Sequence, residues 1–171
     1  RERKPFSTAF RRPEQIRFEF QDGDDSKSKY IVWANGNDVK TWWHLEPEDK
    51  KVAFLGRGIA GAAGVSSGSA HTIPRLLLPE KVNGWCITDL KKLEIMPEER
   101  VAGEVCYHIR GVHPSADTKY ELLIEKKRHL IRLIRTEYNL KGGGASQETT
   151  YDPRINEDIP NELLDFKPPR K

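Results

Sequence analysis

The segment YIVWANGNDVKTWW, residues 30–43, constrains the fold of this chain more than any other stretch. Two runs rich in β-branched and aromatic residues flank a polar turn, Asn35-Gly36-Asn37-Asp38, whose residues tolerate positive φ angles. The segment therefore predicts a β-hairpin. Its first strand is apolar at every position from Tyr30 to Ala34, whereas a strand with one solvated face alternates apolar and polar residues. Both faces of the hairpin must therefore be covered, by protein, lipid or a partner.

Three tryptophans set the size of this apolar surface: Trp33, Trp42 and Trp43. At about 200 Å² each, they would together expose roughly 600 Å², which is the upper end of what monomers leave bare. Covering that area would contribute on the order of 15 kcal/mol as an upper bound. The identity of the cover is therefore the central question about this sequence.

The residues before the hairpin predict an antiparallel meander. Apolar and polar residues alternate over 6–10 and again over 16–20, which indicates two half-buried strands. Residues 21–28 are polar and acidic and contain glycine, so they predict a loop.

Residues 45–79 predict an insertion of one to three short helices. Proline and acidic residues in 45–51 are typical of a helix start, and Gly and Ala dominate 56–65. Small residues let a helix approach a sheet or another helix closely. Pro74 should kink the apolar segment that follows, and Pro79 should end it. An apolar insertion with glycine joints is suited to be a lid over a sheet.

The rest of the chain returns to strands, so the sequence predicts an α+β fold. No Pro/Gly/Ser-rich linker divides the chain, and we expect one domain over residues 1–171. A flexible turn is predicted at 141–146 and a short helical turn at 159–164. The predicted strands are 90–96, 105–111, 119–126, 130–138 and 147–152.

Charge and hydropathy argue against two classes of protein, nucleic-acid binding proteins and membrane-spanning proteins. The 29 Lys and Arg nearly cancel the 26 Asp and Glu to leave a net charge of +3, which is too balanced for a nucleic-acid binding protein. No apolar run approaches 18 residues, so no membrane span is predicted. The chain begins at Arg1 without a signal sequence, and we expect it to be a processed or trimmed piece.

Cys86 and Cys106 leave two interpretations open. Two cysteines without C-x-x-C spacing do not predict a zinc site. Turn residues at 97–100 and 102–103 centre a hairpin near position 100, which would place Cys106 opposite residue 94 rather than opposite Cys86. The alternatives are a disulfide or two buried free thiols.

The motifs typical of catalysis or metal binding are better interpreted as structural in this chain. Gly64-Val-Ser-Ser-Gly68 matches G-x-S-x-G, but a helical stretch precedes Ser66 where the nucleophile motif needs a strand, so we interpret Ser66 as a helix N-cap in a lid hinge. Histidines at 44, 71, 108, 113 and 129 lack paired ligand spacing. We therefore expect no enzyme activity, no metal site and no cofactor.

Four stretches together resemble the LolA/LolB-like lipoprotein-carrier superfamily, specifically its uncharacterised bacterial envelope members. They are FRRPEQIRFEF at 10–20, YIVWANG at 30–36, LIRLIR at 130–135, and TYDPRINEDIP at 150–160 with FKPP at 166–169. The resemblance rests on their order along nearly the whole chain. Members of the superfamily usually begin with an α-helix and a strand ahead of the position of Pro5, so we expect those elements to be absent from these 171 residues.

The resemblance implies a strongly curved antiparallel sheet, an unclosed half-barrel, with a helical lid on its concave face and an apolar cavity between them. It implies export, with a periplasmic or envelope-anchored location in a Gram-negative-type bacterium. One face of the tryptophan hairpin would line the cavity beneath residues 56–78. The cavity candidates are Phe18, Phe20, Trp33, Trp42, Trp43, Ile59, Val65, Leu76, Leu77, Leu122, Ile124 and Leu133.

Two functional hypotheses follow. The first is binding or carriage of a lipid or of a lipoprotein acyl chain in that cavity. The alternative is a non-enzymatic interaction module whose aromatic face docks a protein partner of a cell-envelope complex.

Overall fold

A computed structural model describes residues 4–21, 25–140 and 143–169. The chain has an α+β fold built on two five-stranded antiparallel sheets, neither of which closes into a barrel, and this confirms the predicted fold class. Contacts divide the chain into two compact units. The first unit is Arg1–Cys86 with Asp158–Lys171, and the second is Ile87–Glu157. The expectation of a single domain stays a prediction.

The sheet of the first unit is a simple meander in which each strand pairs with the next. Its order is β1-β2-β3-β4-β5, as the alternating residues before the hairpin predicted for its first strands. Its strands are β1 (Phe6–Arg11), β2 (Gln15–Gln21), β3 (Lys29–Asn35), β4 (Asp38–Trp43) and β5 (Glu46–Val52).

The predicted tryptophan hairpin is confirmed as β3 and β4. Asn35 pairs with Asp38, so Gly36 and Asn37 form the two-residue turn. Gly36 has a φ of +59°, in the left-handed region that glycine adopts without a steric penalty. The polar loop predicted at 21–28 falls partly on residues 22–24, which lie outside the described residues.

The predicted start of the helical insertion at residue 45 is wrong. Residues Glu46–Val52 form the edge strand β5, which pairs with β4. Pro47 is compatible with an edge strand because an edge needs no donor on its outer side, and charged residues are common at exposed edges. The acids and lysines that resembled a helix start therefore belong to a solvated sheet edge.

The helices of the first unit are short. In chain order they are α1 (Leu55–Val65), a 3₁₀ turn (Ser69–His71), α2 (Thr72–Leu77), α3 (Pro79–Val82) and, near the end of the chain, α4 (Asn161–Leu164), which confirms the predicted helical turn. Among the described residues, no helix combines the length and the apolar character needed to cross a membrane.

The core of the first unit lies between α1 and one face of the sheet. Ile59 of α1 is fully buried there. The buried apolar residues of this core are Ile16, Phe18, Phe20, Val32, Ala34, Val39, Leu55, Ile59, Ala62, Ala70, Leu78 and Val82.

The second unit is a meander of five strands in the order β10-β9-β8-β7-β6, preceded by a 3₁₀ turn at Ile87–Asp89. The strand order confirms the predicted return to strands. The strands are β6 (Lys91–Val101), β7 (Glu104–Val112), β8 (Thr118–Glu125), β9 (Ile131–Leu140) and β10 (Gly143–Thr150).

Two details of the second unit differ from the predictions. Cys106 lies opposite Glu99, not residue 94, because the turn is at Ala102 and Gly103. Residues 143–146 belong to a strand and not to the predicted turn, whose residues 141–142 lie outside the described residues. Neither Cys86 nor Cys106 forms a disulfide among the described residues.

Candidate functional site

The two faces of the first sheet carry different covers. On one face, α1 packs so closely that a Cβ added at Gly58 would lie 3.0 Å from Val32 Cγ1. This contact between a glycine and a β-branched side chain is the close approach that the small residues of 56–65 predicted. Helix α1 therefore covers one of the two apolar faces of the hairpin, so the cover on this face is protein.

The opposite face carries the other side chains of the same strands. Its central row consists of Arg17, Trp33 and Lys40, which the register of β2, β3 and β4 aligns across the sheet. In the next row Ile31 pairs with Trp42, and both are buried. The hairpin is thus aromatic on the face turned away from α1.

The end of the chain, residues 158–169, packs on this second face and is called the C-terminal segment below. Trp33 Nε1 donates a hydrogen bond to the carbonyl oxygen of Leu164, and its ring centroid lies 6.0 Å from that of Phe166. Arg17 Nη1 donates to the carbonyl oxygen of Asp165 at 3.0 Å. These contacts join the segment to strands more than a hundred residues earlier in the chain.

Two basic side chains complete the attachment. Lys40 Nζ lies 5.4 Å from the ring centroid of Trp33 and 5.6 Å from that of Phe166, which are cation–π distances. Arg11 Nη1 donates to Asn161 Oδ1 at 2.8 Å, and Arg11 Nη2 donates to the carbonyl oxygen of Ile159. Most of the hydrogen-bond acceptors are backbone carbonyls, and the buried side chain of Leu164 and the ring of Phe166 add apolar contacts.

A groove of about 550 Å³ opens beside this attachment, between the C-terminal segment and strands β4 and β5. Five of its seven lining residues are aromatic or proline, one acidic and one basic side chain contribute its charges, and polar atoms provide at least as much of its wall as apolar atoms do. We call it the C-terminal groove. Its lining residues are Trp42, Pro47, Asp49, Phe166, Lys167, Pro168 and Pro169.

The groove's chemistry suits an apolar ligand with a polar end. Pocket volumes of roughly 300–1,000 Å³ are typical of small-molecule sites, which are mostly apolar with a few polar groups that fix orientation. Lys167 is exposed and its Nζ lies 3.0 Å from Asp165 Oδ2, so its ammonium group stands at the rim. Asp49 supplies a carboxylate on the β5 side.

The structure does not bring the predicted cavity residues of the first unit together. Phe18, Phe20 and Ile59 are buried in the core under α1, and Val65 packs against that core. Trp43 is half-buried and its ring centroid lies 6.2 Å from that of Tyr30.

Trp42 is the predicted residue that lines the C-terminal groove, while Trp33 lies under Phe166 on the same face. Leu76 is half-buried and Leu77 is exposed. Side chains alternate between the two faces of a strand, so neighbouring residues such as Trp42 and Trp43 must point to opposite faces of the sheet. This alternation explains why only some of the predicted residues reach the groove.

The three predicted residues of the second unit lie on two faces of its sheet. Leu133 is buried in a small cluster with Cys106 and Leu123. Leu122, one residue from Leu123 along β8, points to the other face and is also buried, while Ile124 is half-buried.

Six groove residues were missed by the sequence prediction: Pro47, Asp49, Phe166, Lys167, Pro168 and Pro169. Pro47 was assigned to a helix start. The FKPP stretch was recognised only as a closing motif, although an apolar, proline-rich end after a short helix cannot form a regular element and must lie against another surface. That feature is the signal that points to the groove.

Ser66 does not have the surroundings of a nucleophile. Residues Leu55–Val65 ahead of it form a helix, and Ser66 is the residue that caps its C-terminal end. Its side chain is buried, and its Oγ accepts a hydrogen bond from the backbone N–H of Ala70 at 3.1 Å. Ser66 therefore occupies a C-cap position and not the predicted N-cap, which for the following 3₁₀ turn is Gly68, and its hydroxyl joins the two helical elements through Ala70.

A charged cluster on the sheet of the second unit is a separate candidate. Arg135 Nη2 lies 2.6 Å from Glu99 Oε1, and Arg135 Nη1 lies 3.4 Å from Glu121 Oε2. Arg110 Nη2 lies 2.9 Å from Glu121 Oε1. His108 Nε2 lies 3.3 Å from Glu121 Oε2. The carboxylates are thus shared among basic side chains of the same sheet face.

These contacts shift the acid groups toward the charged form. The hydrogen bond from Arg135 lowers the pKa of Glu99. Burial acts to raise the pKa of Glu121, but the hydrogen bond from Arg110 and the charge of His108 outweigh it and the pKa is lowered. Such saturated carboxylates are suited to hold strands together. No group of three or more metal-ligating side chains occurs in the part of the chain that the structure describes.

Comparison with known proteins identifies structural likenesses that are distant in sequence. No protein-family model and no curated protein matches this chain. A solved domain from Vibrio parahaemolyticus, described as a candidate outer membrane lipoprotein-sorting protein, is similar over 92% of this chain and 79% of its own, with 9% sequence identity and a TM-score of 0.38. A likeness this distant carries no argument about function. Membership of the LolA/LolB-like superfamily stays a prediction.

Proposed function

We propose that this chain binds a lipid or the acyl chain of a lipoprotein in the C-terminal groove, as a non-enzymatic carrier of the bacterial cell envelope. The observation that carries the proposal is the groove itself, about 550 Å³ in volume and walled by Trp42, Phe166 and three prolines. Its aromatic and proline rings offer apolar contacts to a methylene chain, while the polar atoms of the wall offer contacts to a polar headgroup.

The rim supports an amphiphile rather than a plain hydrocarbon. Lys167 lines the groove, and Lys40 Nζ lies 5.6 Å from the ring centroid of Phe166. An ammonium group beside an apolar groove favours a carboxylate or phosphate headgroup, while the chain of the ligand enters between the rings. Asp49 on the opposite side would repel such a headgroup and so set the direction of entry.

The C-terminal segment gives the groove an adjustable wall. It is joined to the sheet by side-chain donors to its carbonyl oxygens at Ile159, Leu164 and Asp165, and not by a strand ladder. Each hydrogen bond contributes about 1 kcal/mol, so a ligand can displace part of the segment and lengthen the groove at modest cost.

The first experiment compares native with denaturing mass spectra of protein purified without detergent. Added mass that is lost on denaturation and extracted into organic solvent would identify a bound lipid. The delipidated protein is then titrated with a fatty acid brominated along its chain, because bromine quenches nearby indoles and Trp42 forms one wall of the groove.

Two variants make the titration specific. Phe166→Ala should weaken binding at least tenfold, since it removes a ring from the groove wall. Leu163→Ala, an exposed position of the same segment, is the matched control and should bind as the wild type does. The proposal would be contradicted if the brominated fatty acid did not quench tryptophan fluorescence, or if the wild type and both variants were quenched equally.

The interaction-module hypothesis is favoured by a different observation, the exposed apolar side chains Leu93 and Ile95 on β6. They belong to the second unit, whereas the residues that line the groove belong to the first. Association through them would not by itself exclude lipid binding.

A further inference from the structure

Strand β6 forms one edge of the sheet in the second unit, because the strand order ends with it. Such an edge presents unpaired backbone donors and acceptors, and proteins usually protect it with charges or cover it. Strand β6 carries charges and a proline, yet two large apolar side chains are also exposed there. Ile95 is 79% exposed and Leu93 is 60% exposed.

The sequence of β6 is complementary to itself when two copies run antiparallel. With Ile95 opposite Ile95 of a second copy, Leu93 lies opposite Pro97 and Lys92 lies opposite Glu98. Lys91 lies opposite Glu99 in the same alignment, but Arg135 of the same chain already binds the Glu99 carboxylate, so Lys92 and Glu98 are the pair available to a second copy. Charges of opposite sign therefore face each other on both sides of an apolar centre, which is a favourable arrangement for cross-strand pairs.

The positive charges on one side of this alignment have no ion-pair partner in the part of the chain that the structure describes. Among the described residues, no carboxylate forms an ion pair or hydrogen bond with Lys91 or Lys92. Glu98 contacts Lys126 at the surface and is about half exposed, so it is accessible to a second cation. Exposed pairs of this kind contribute little affinity but select the register and the partner.

We propose that β6 is a homodimer interface in which two copies of this chain pair antiparallel about a two-fold axis at Ile95. The pairing joins the apolar side chains of Leu93, Ile95 and Pro97 from both copies on one side of the extended sheet. An interface of this isologous kind uses the same surface on each copy and closes at two. The proposal does not rest on lipid binding.

Irregularities in β6 explain why the pairing stops at a dimer. Register shifts occur between Lys91 and Glu94 and between Met96 and Glu99, so a regular segment of only three residues remains around Ile95. Pro97 lacks an N–H and removes one potential hydrogen bond of the pairing. These features suit a short, reversible contact and disfavour continued strand addition.

Charge reversal tests the register in the full-length protein. Sedimentation velocity should show wild-type dimers whose fraction rises with concentration. Lys92→Glu and Glu98→Lys should each weaken dimerisation at least tenfold, because each places like charges opposite one another. Mixing the two variants restores opposite charges at both pairs of a heterodimer, so dimers should reappear in the mixture. Leu45→Lys, at an exposed leucine of the first unit, is the control and should dimerise as the wild type does.

Disulfide trapping tests the axis independently. Directly opposed residues of antiparallel strands have Cα atoms about 4.5–5.5 Å apart, within disulfide range. Ile95→Cys should therefore form a covalent dimer under mild oxidation. Leu93→Cys is equally accessible, but its two copies would be four residues apart, about 13 Å, and should not link.

Two sets of results would overturn the proposal. The first is a monomer at all concentrations, or dimers that Lys92→Glu and Glu98→Lys leave unchanged both alone and mixed. The second is equal linking of Ile95→Cys and Leu93→Cys, because random collision would then account for both covalent dimers.

Discussion

The indole Nε1 of Trp33 donates a hydrogen bond to the backbone carbonyl oxygen of Leu164, 131 residues further along the chain. This contact joins the centre of the first sheet to the C-terminal segment. Because the acceptor is a carbonyl and the donor is a side chain, the segment is held on the aromatic face without adding a strand to the sheet. The wall of the C-terminal groove depends on this arrangement.

Replacing Trp33 with Phe should loosen the C-terminal segment. The variant keeps an aromatic ring against Phe166 but leaves the Leu164 carbonyl without its donor, at a cost of about 1 kcal/mol. Limited proteolysis and amide hydrogen exchange over residues 158–169 should both become faster. Leu163→Ala should leave these rates unchanged. If Trp33→Phe also left the proteolysis and exchange rates unchanged, other contacts would be holding the segment.

Glycine replacements along α1 should separate close packing from helix propensity. A Cβ at Gly61 would overlap the hydroxyl of Tyr30, so Gly61→Ala should destabilise the protein by about 1–3 kcal/mol. No atom lies within 4 Å of a Cβ at Gly64, and Gly64→Ala should stabilise it by up to about 1 kcal/mol. Urea unfolding measures both changes. If both variants changed the free energy of unfolding in the same direction, the packing described for α1 would be contradicted.

The charged cluster of the second unit should make stability sensitive to acid. Hydrogen bonding to Arg135 lowers the pKa of Glu99 in the folded protein. A lowered carboxyl pKa contributes stability above the unfolded value of about 4.3, and that contribution is lost as the pH falls through the folded pKa. Urea midpoints should therefore fall below about pH 4.5, and less steeply in Arg135→Gln.

An arginine outside the cluster provides the control for this titration. Arg154 is exposed in the second unit, and Arg154→Gln should keep the acid dependence of the wild type. Identical pH profiles for Arg135→Gln and the wild type would mean that the cluster contributes nothing to the acid response.

The two thiols should differ in reactivity. Cys106 is fully buried, and burial raises the pKa of its thiol, whereas Cys86 is half-buried. Because the thiolate is the reactive form, a maleimide should label Cys86 well before Cys106 in the native protein. Mass spectrometry of peptides reads the labels, and denaturation should make both react. If the denatured protein reacted with the maleimide only after reduction, the two cysteines would instead form a disulfide.

Local sequence patterns predicted most of the strands for a simple physical reason. Alternation with period two and turn residues act over a few positions, so β1 to β4 and the Gly36 turn could be recognised without knowledge of distant contacts. The assignment failed at Glu46–Val52, where proline and charges are equally compatible with a helix start and with an exposed sheet edge. Pairing with β4 decided between them.

The sequence also determined that both faces of the tryptophan hairpin need a cover, because its apolar run places apolar side chains on both faces. It did not determine what the cover is. Tertiary structure assigned α1 to one face and the C-terminal segment to the other, and it separated Trp42 from Trp43 by the parity of β4. The contact between Trp33 and Leu164 spans 131 residues. Contacts at that separation arise from the packing of whole elements, whereas a local pattern records only which residues must avoid water.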